Sequence, residues 1–215
     1  MSQKLLISLL LVNSFTISVA ESRGALKFFL TSLNNMKTVG SLFPISKEGV
    51  KVLTKDLDTR SSDKPLHILE VGAGVGNITE ILLEKMGPDD TLEVIEILPE
   101  NCAILVEKFK DKRITIHQAD FLQWESIDQQ KYDLVISTVP HISLGYEFTK
   151  QAFEKYHALT AGTLVFVQLS GIHYLKMHSH DYHKVQEILE TNNDESTLVW
   201  WNLPVPVRVY RKKMR

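Results

Sequence analysis

Short apolar runs recur between residues 66 and 170: "LHILEV" (66–71), "TLEVIEI" (91–97), "ITIHQA" (114–119), "YDLVIST" (132–138) and "TLVFVQLS" (163–170). Each is short, rich in β-branched and aliphatic residues and bounded by polar or turn residues, as buried strands are. Between them, residues 77–86, 99–109 and 147–158 carry apolar side chains at helical spacing. Strands alternating with amphipathic helices predict an α/β protein, Rossmann-like and doubly wound, with a mostly parallel sheet covered on both faces. The alternation stops at the tail, where "STLVWWNL" and "VPVRVYRK" flank the turn-like "PVP" and predict an antiparallel hairpin at one sheet edge. Upstream, "ALKFFLTSLNNM" and "SKEGVKVLTKDL" have helical spacing, with the Gly/Pro-punctuated loop "KTVGSLFP" between them.

The pattern divides the chain into an apolar segment over residues 1–20, a helical lead-in over 21–64 and a ligand-binding core over 65–215. "KLLISLLLVNSFTISVA" joins a lysine to an apolar run and ends with the small residues Ser18 and Ala20, as a signal peptide does. The run is short for a bilayer span and interrupted by polar residues, so a membrane anchor or a packed extra element are equal readings. Cys102 is the single cysteine, which leaves no disulfide or CxxC site and fits a reducing compartment. Composition adds one exclusion: 24 basic against 26 acidic residues give no overall nucleic-acid-coating surface, although "RVYRKKMR" forms a local basic tail.

The chemistry concentrates in "ILEVGAGVGNITEIL", residues 68–82. Gly72, Gly74 and Gly76 lie at alternate positions between a strand and a helix that starts near Asn77, an arrangement that brings backbone N–H groups close to a ligand. Dinucleotide sites place a third glycine where Asn77 stands, so the spacing is GxGxG rather than GxGxxG. Glu70 precedes the turn and suits a cationic or amine-bearing ligand better than a pyrophosphate. Glu96 ends the second strand, twenty residues past Gly76, where a carboxylate accepts hydrogen bonds from ribose hydroxyls. Asp120, followed by Phe121, ends the third strand and can accept from an adenine amino group.

In order and spacing, "EVGAGVG", Glu96, "QADF" and "YDLVISTVP" resemble the four cofactor motifs of class I S-adenosylmethionine-dependent methyltransferases. Within that superfamily, "VGSLFPIS", "LPENC" and "WWNLPVPVRVYRK" resemble the bacterial phospholipid N-methyltransferases most, and the ribosomal RNA adenine dimethyltransferases next, over about residues 23–212. The resemblance implies S-adenosyl-L-methionine as cofactor, held by Glu70, Gly72, Gly74, Gly76, Asn77, Glu96, Ile97, Asp120, Phe121 and Ser137. It makes Ser137 to Pro140 the wall toward the acceptor. His141 replaces the aromatic residue that stacks the base in nucleic-acid amino-methylating enzymes, which directs the expectation toward a phospholipid amine such as phosphatidylethanolamine, with RNA adenine N6-methylation as the alternative and a non-enzymatic Rossmann-like scaffold as the rival to both. An aliphatic ammonium must lose a proton before it attacks, so His141 becomes a candidate base, and Tyr146 and Tyr174 become candidate faces for the ammonium. The histidine-rich stretch "HYLKMHSHDYH" reads as a mobile substrate lid, not a metal site. A cytosolic monomer at the inner membrane face completes the expectation.

Overall fold

The computed structural model describes residues 45–60, 64–126, 131–169, 180–202 and 206–214. The apolar segment 1–20, the remainder of the lead-in before residue 45 and Tyr174 lie outside them. The described chain starts with two short helices, α1 (Lys47–Leu53) and α2 (Lys55–Asp58). Ser46 caps α1 by accepting a hydrogen bond from the Gly49 N–H (3.2 Å), and Thr54 divides the two helices by turning its hydroxyl back onto the Val50 carbonyl (2.9 Å).

Strands and helices then alternate: β1 (His67–Val71), α3 (Asn77–Lys85), β2 (Thr91–Glu96), α4 (Pro99–Lys108), β3 (Ile114–Gln118) and β4 (Tyr132–Ser137). A one-turn helix, α5 (His141–Leu144), leads into α6 (Tyr146–Leu159), β5 (Thr160–Leu169), α7 (His180–Thr191), β6 (Glu195–Val199) and β7 (Val207–Lys213). The seven strands lie in the order β3-β2-β1-β4-β5-β7-β6. The first five are parallel, and β7 runs antiparallel to both β5 and β6. This is the Rossmann-like, mostly parallel α/β sheet with antiparallel C-terminal strands that the pattern predicts. Strand order reverses between β1 and β4, which places the ligand crevice at the carboxyl ends of those two strands.

Pleating divides the core between the two faces. Leu69 and Val71 of β1 join the cluster under α6 and α7, with Phe153, Tyr156, Phe166, Val185 and Leu189. Ile68 joins the opposite cluster under α1, α3 and α4, with Leu53, Ile78, Leu82 and Leu105. Glu70, two residues from Ile68, therefore enters the second face, where a carboxylate meets the first turn of α3.

One expectation changes. His180 to His183, read as part of a lid, open α7, because Val185, Ile188 and Leu189 give that stretch an apolar stripe that packs beside α6. The expected antiparallel hairpin closes that end of the sheet, with β7 pairing β5 and β6 forming the outermost strand. Its tip exposes Trp200 and Trp201, while the buried Asn202 accepts a hydrogen bond from the Ser46 N–H (2.6 Å) and ties the tip to the start of α1. Among the described residues no helix is long and apolar enough to cross a membrane, and no group of three His, Cys, Asp or Glu side chains is placed to hold a metal ion.

Candidate active site

The turn from β1 into α3 forms one wall of the crevice. Its three glycines have positive φ, +81° at Gly72, +59° at Gly74 and +86° at Gly76, but they serve different ends. A side chain at Gly76 would run into Phe109 (2.5 Å) and Leu105 (2.7 Å), so this glycine lets α3 pack on α4. One at Gly72 would press on Val139 (3.3 Å) and Thr138 (3.4 Å), keeping the turn against the end of β4. Gly74 has nothing within 4 Å and opens onto unfilled space. Packing thus explains two of the glycines, and the third leaves a backbone cradle. Asn77, at the start of α3, is exposed.

Carboxylates organise the turn. Glu96 accepts from the N–H groups of Gly74 (2.8 Å) and Leu98 (2.8 Å), fixing the glycine turn against the end of β2 beside the half-buried Ile97. Glu70 is fully buried; Oε2 accepts from the Thr79 hydroxyl (2.7 Å) and Oε1 has no partner. Burial, with a further push from Glu96, raises its pKa to about 7 against the softening effect of Thr79. A buried carboxylate with an unsatisfied oxygen thus stands at the end of the strand that leads into the open Gly74 turn, where negative charge disfavours a phosphate.

At the far side of the crevice, Asp120 Oδ1 accepts from the Leu122 N–H (2.9 Å) and shapes the turn after β3. Phe121 does not offer its face to a ligand: it is buried and stacks on Tyr156 of α6, ring centroids 4.8 Å apart. Ser137 is likewise turned inward, its hydroxyl paired with the Tyr156 hydroxyl (2.7 Å) and accepting from the Val139 N–H (3.3 Å). It braces the wall rather than lining it. Thr138 closes the gap to the glycine turn by donating to the Gly72 carbonyl (2.6 Å).

The structure does not support His141 as a proton acceptor. The side chain is fully buried among Phe148, Phe153, Tyr156 and Phe166, and neither ring nitrogen has a hydrogen-bond partner. Burial lowers its pKa to about 3, far below what a base working at neutral pH requires. Tyr146 already carries a cation on its ring, Lys184 Nζ at 4.8 Å from the centroid. Sequence reasoning missed Thr79, Lys155 and Tyr156, which support the site from helices. Only Thr79 left a trace, a hydroxyl on the first inward turn of α3 following a buried acid.

A parallel sheet with this strand order, a GxGxG turn at the switch point and acids closing β2 and β3 define a class I S-adenosylmethionine-dependent methyltransferase fold, whose cofactor is S-adenosyl-L-methionine. The magnesium protoporphyrin IX methyltransferase of Synechocystis PCC 6803, solved with bound S-adenosylhomocysteine, superposes with a TM-score of 0.63 at 14% identity, covering 86% of this chain and 94% of that one. The N-methyltransferase NodS of Bradyrhizobium japonicum WM9 gives 0.54 at 19% identity over 76% and 94%. Within the class, the chain belongs to the ribosomal RNA adenine dimethylase family, whose sequence signature matches residues 33–185. It is 33% identical over 100 residues to a "Probable ribosomal RNA small subunit methyltransferase A" of Methanococcoides burtonii, covering 46% of this chain and 34% of that protein. It is 32% identical over 83 residues to the tRNA1(Val) (adenine(37)-N6)-methyltransferase of Klebsiella pneumoniae subsp. pneumoniae, covering 37% and 34%. The chain thus spans about a third of the length of these two curated relatives.

Proposed function

We propose that the protein methylates the exocyclic amino group of adenine in RNA, using S-adenosyl-L-methionine. The observation that carries this reading is the sealed His141: the wall after β4 has an aromatic-caged, unprotonated imidazole where an aliphatic ammonium would need a base. Adenine N6 is uncharged at neutral pH, so this acceptor asks for alignment and exclusion of water but not for prior deprotonation. Family membership and the tRNA adenine-N6 relative point to the same acceptor. Phosphatidylethanolamine, the acceptor expected from the sequence, has the opposite requirement.

S-adenosyl-L-methionine supplies an electrophilic methyl group on a sulfonium. In this reading Gly74 would give the backbone surface for the methionine end, the Glu70 carboxylate would compensate positive charge there, and Glu96 and Ile97 would border the ribose. Asp120 accepts from the adenine amino group, while Ser137, held by Tyr156, keeps Thr138 to Pro140 rigid against the acceptor. The chain's own part would be to hold an uncharged acceptor nitrogen in line with that methyl group.

The test is incubation of the full chain with methyl-labelled cofactor and either total RNA or phosphatidylethanolamine liposomes. Label is expected in N6-methylated adenosine after digestion of the RNA. Label confined to lipid would overturn the proposal.

A further inference from the structure

Lys155 occupies an unusual place. It projects from α6, half-buried, toward the turn that follows β3, and its ammonium donates to the carbonyls of Leu122 (3.2 Å) and Trp124. The same nitrogen lies over the rings of Phe121 (5.3 Å) and Trp124 (5.9 Å). Four contacts from one cation thus converge on three residues of one turn, Phe121, Leu122 and Trp124. Burial lowers the lysine's pKa, while Glu125 and Asp120 counteract that drop. An apolar side chain of similar length would fill the volume without a charge to desolvate.

The turn that Lys155 holds contains Asp120. The N–H groups of Gln123 (3.0 Å) and Trp124 (2.8 Å) bond to the Asp120 carbonyl and that of Leu122 to its Oδ1, so the orientation of the carboxylate is inseparable from the shape of the turn. The next residue of α6, Tyr156, stacks on Phe121 and holds Ser137. Helix α6 is therefore registered on the sheet independently of the lysine, and Lys155 reaches the turn from a fixed base.

We infer that Lys155 is a positioning residue for cofactor recognition: by clamping the Asp120–Trp124 turn it aims the Asp120 carboxylate at the amino group of the cofactor's adenine. This rests on the reading of the crevice as an S-adenosyl-L-methionine site. Removing the clamp costs discrimination for the 6-amino group, which is distinct from general loss of fold or of affinity.

The experiment is calorimetric titration of the full chain with S-adenosylhomocysteine and with its deaminated analogue S-inosylhomocysteine, which carries a 6-oxo group instead. The wild type should prefer the adenine form. Lys155→Met should weaken S-adenosylhomocysteine about 10-fold, the value of one charge-assisted hydrogen bond, and bring the ratio of the two ligands near unity. Lys155→Arg, which retains charge and donors, should restore most of the preference. An unchanged ratio in Lys155→Met overturns the inference, as does an equal fall for both ligands accompanied by a lower melting temperature, which is the mark of a purely structural lysine. A wild type that binds S-adenosylhomocysteine without preference removes Asp120 from adenine recognition and the inference with it. A wild type that binds neither refutes the cofactor site itself.

Discussion

Glu70 and His141 are buried titratable groups whose effects on stability oppose each other. Glu70 has a folded pKa of about 7 against an ordinary 4.5, so between those values the folded chain holds a proton that the unfolded chain has released, and stability falls as pH rises. His141, at about 3 against 6.5, does the reverse: in that window the unfolded chain takes up a proton that the folded chain refuses, and stability falls as pH drops. From about pH 4.5 to 6.5 the two slopes cancel, so the wild-type profile should be nearly flat there. Glu70→Gln should unmask the histidine, giving stability that rises with pH through that window, and should stabilise the ligand-free protein by up to about 3 kcal/mol at pH 8. His141→Phe should unmask the opposite slope. Chemical denaturation at pH 4.5, 5.5, 6.5 and 8 measures both, and identical profiles for the three proteins would refute the assignment. The glycines make a second pair: Gly76→Ala, with Phe109 in the way, should cost about 3 kcal/mol or more, whereas Gly74→Ala should cost about 1 kcal/mol of stability and act mainly on cofactor binding. Thermal melts with and without S-adenosylhomocysteine separate the two effects.

At the scale of elements, the strands were legible because each is a short apolar run, and α3, α4 and α6 because their apolar residues recur at helical spacing. The start of α7 was not, since His180, Asp181 and His183 look like loop chemistry until Val185, Ile188 and Leu189 are counted as a stripe. The glycine turn and the acids at the ends of β1, β2 and β3 could be read from the sequence; the burial of His141, Phe121 and Ser137 could not, because each is buried by α6, α7 or β5 residues distant in sequence. The same nonlocality governs the joint between helices and tail. Arg211 of β7 is buried, donates to Asp56 of α2 (2.8 Å) and to the Val52 carbonyl of α1 (2.8 Å), and so locks the last strand to the first helices. Asp56→Ala removes the guanidinium's salt-bridge partner and leaves Glu195, across the β6–β7 pair, as the carboxylate that still acts on it. Because Asp56 keeps some exposure and Val52 still accepts, a loss of about 2 kcal/mol is expected rather than the larger cost of a sealed pair. Urea unfolding gives the value, and no change would mean that water replaces the carboxylate.

The whole molecule couples these parts through the crevice. A ligand that fills the Gly74 cradle and engages the acids at the ends of β1, β2 and β3 binds only the folded chain. At about 100 times its Kd it should add about 2.7 kcal/mol of stability and raise the melting temperature by about 5 to 10 °C for a domain of this size. Differential scanning fluorimetry with S-adenosylhomocysteine tests this, with adenosine diphosphate as the control whose phosphates Glu70 should repel. An equal shift with the diphosphate would contradict the electrostatic reading of the turn.

The interior position of β7 has a consequence for how the protein is made. Strand β6 meets the sheet through β7 alone, and β5 pairs on its outer side with β7 over seven residues, from Leu169 with Val207 to Thr163 with Lys213. On the ribosome, β5 must therefore wait with an open edge while more than forty further residues are synthesised, and β6 emerges before it has anything to pair with. The sheet closes only when residue 213 has left the exit tunnel. A chain cut short within β7 leaves the outer edge of β5 open and β6 without its partner.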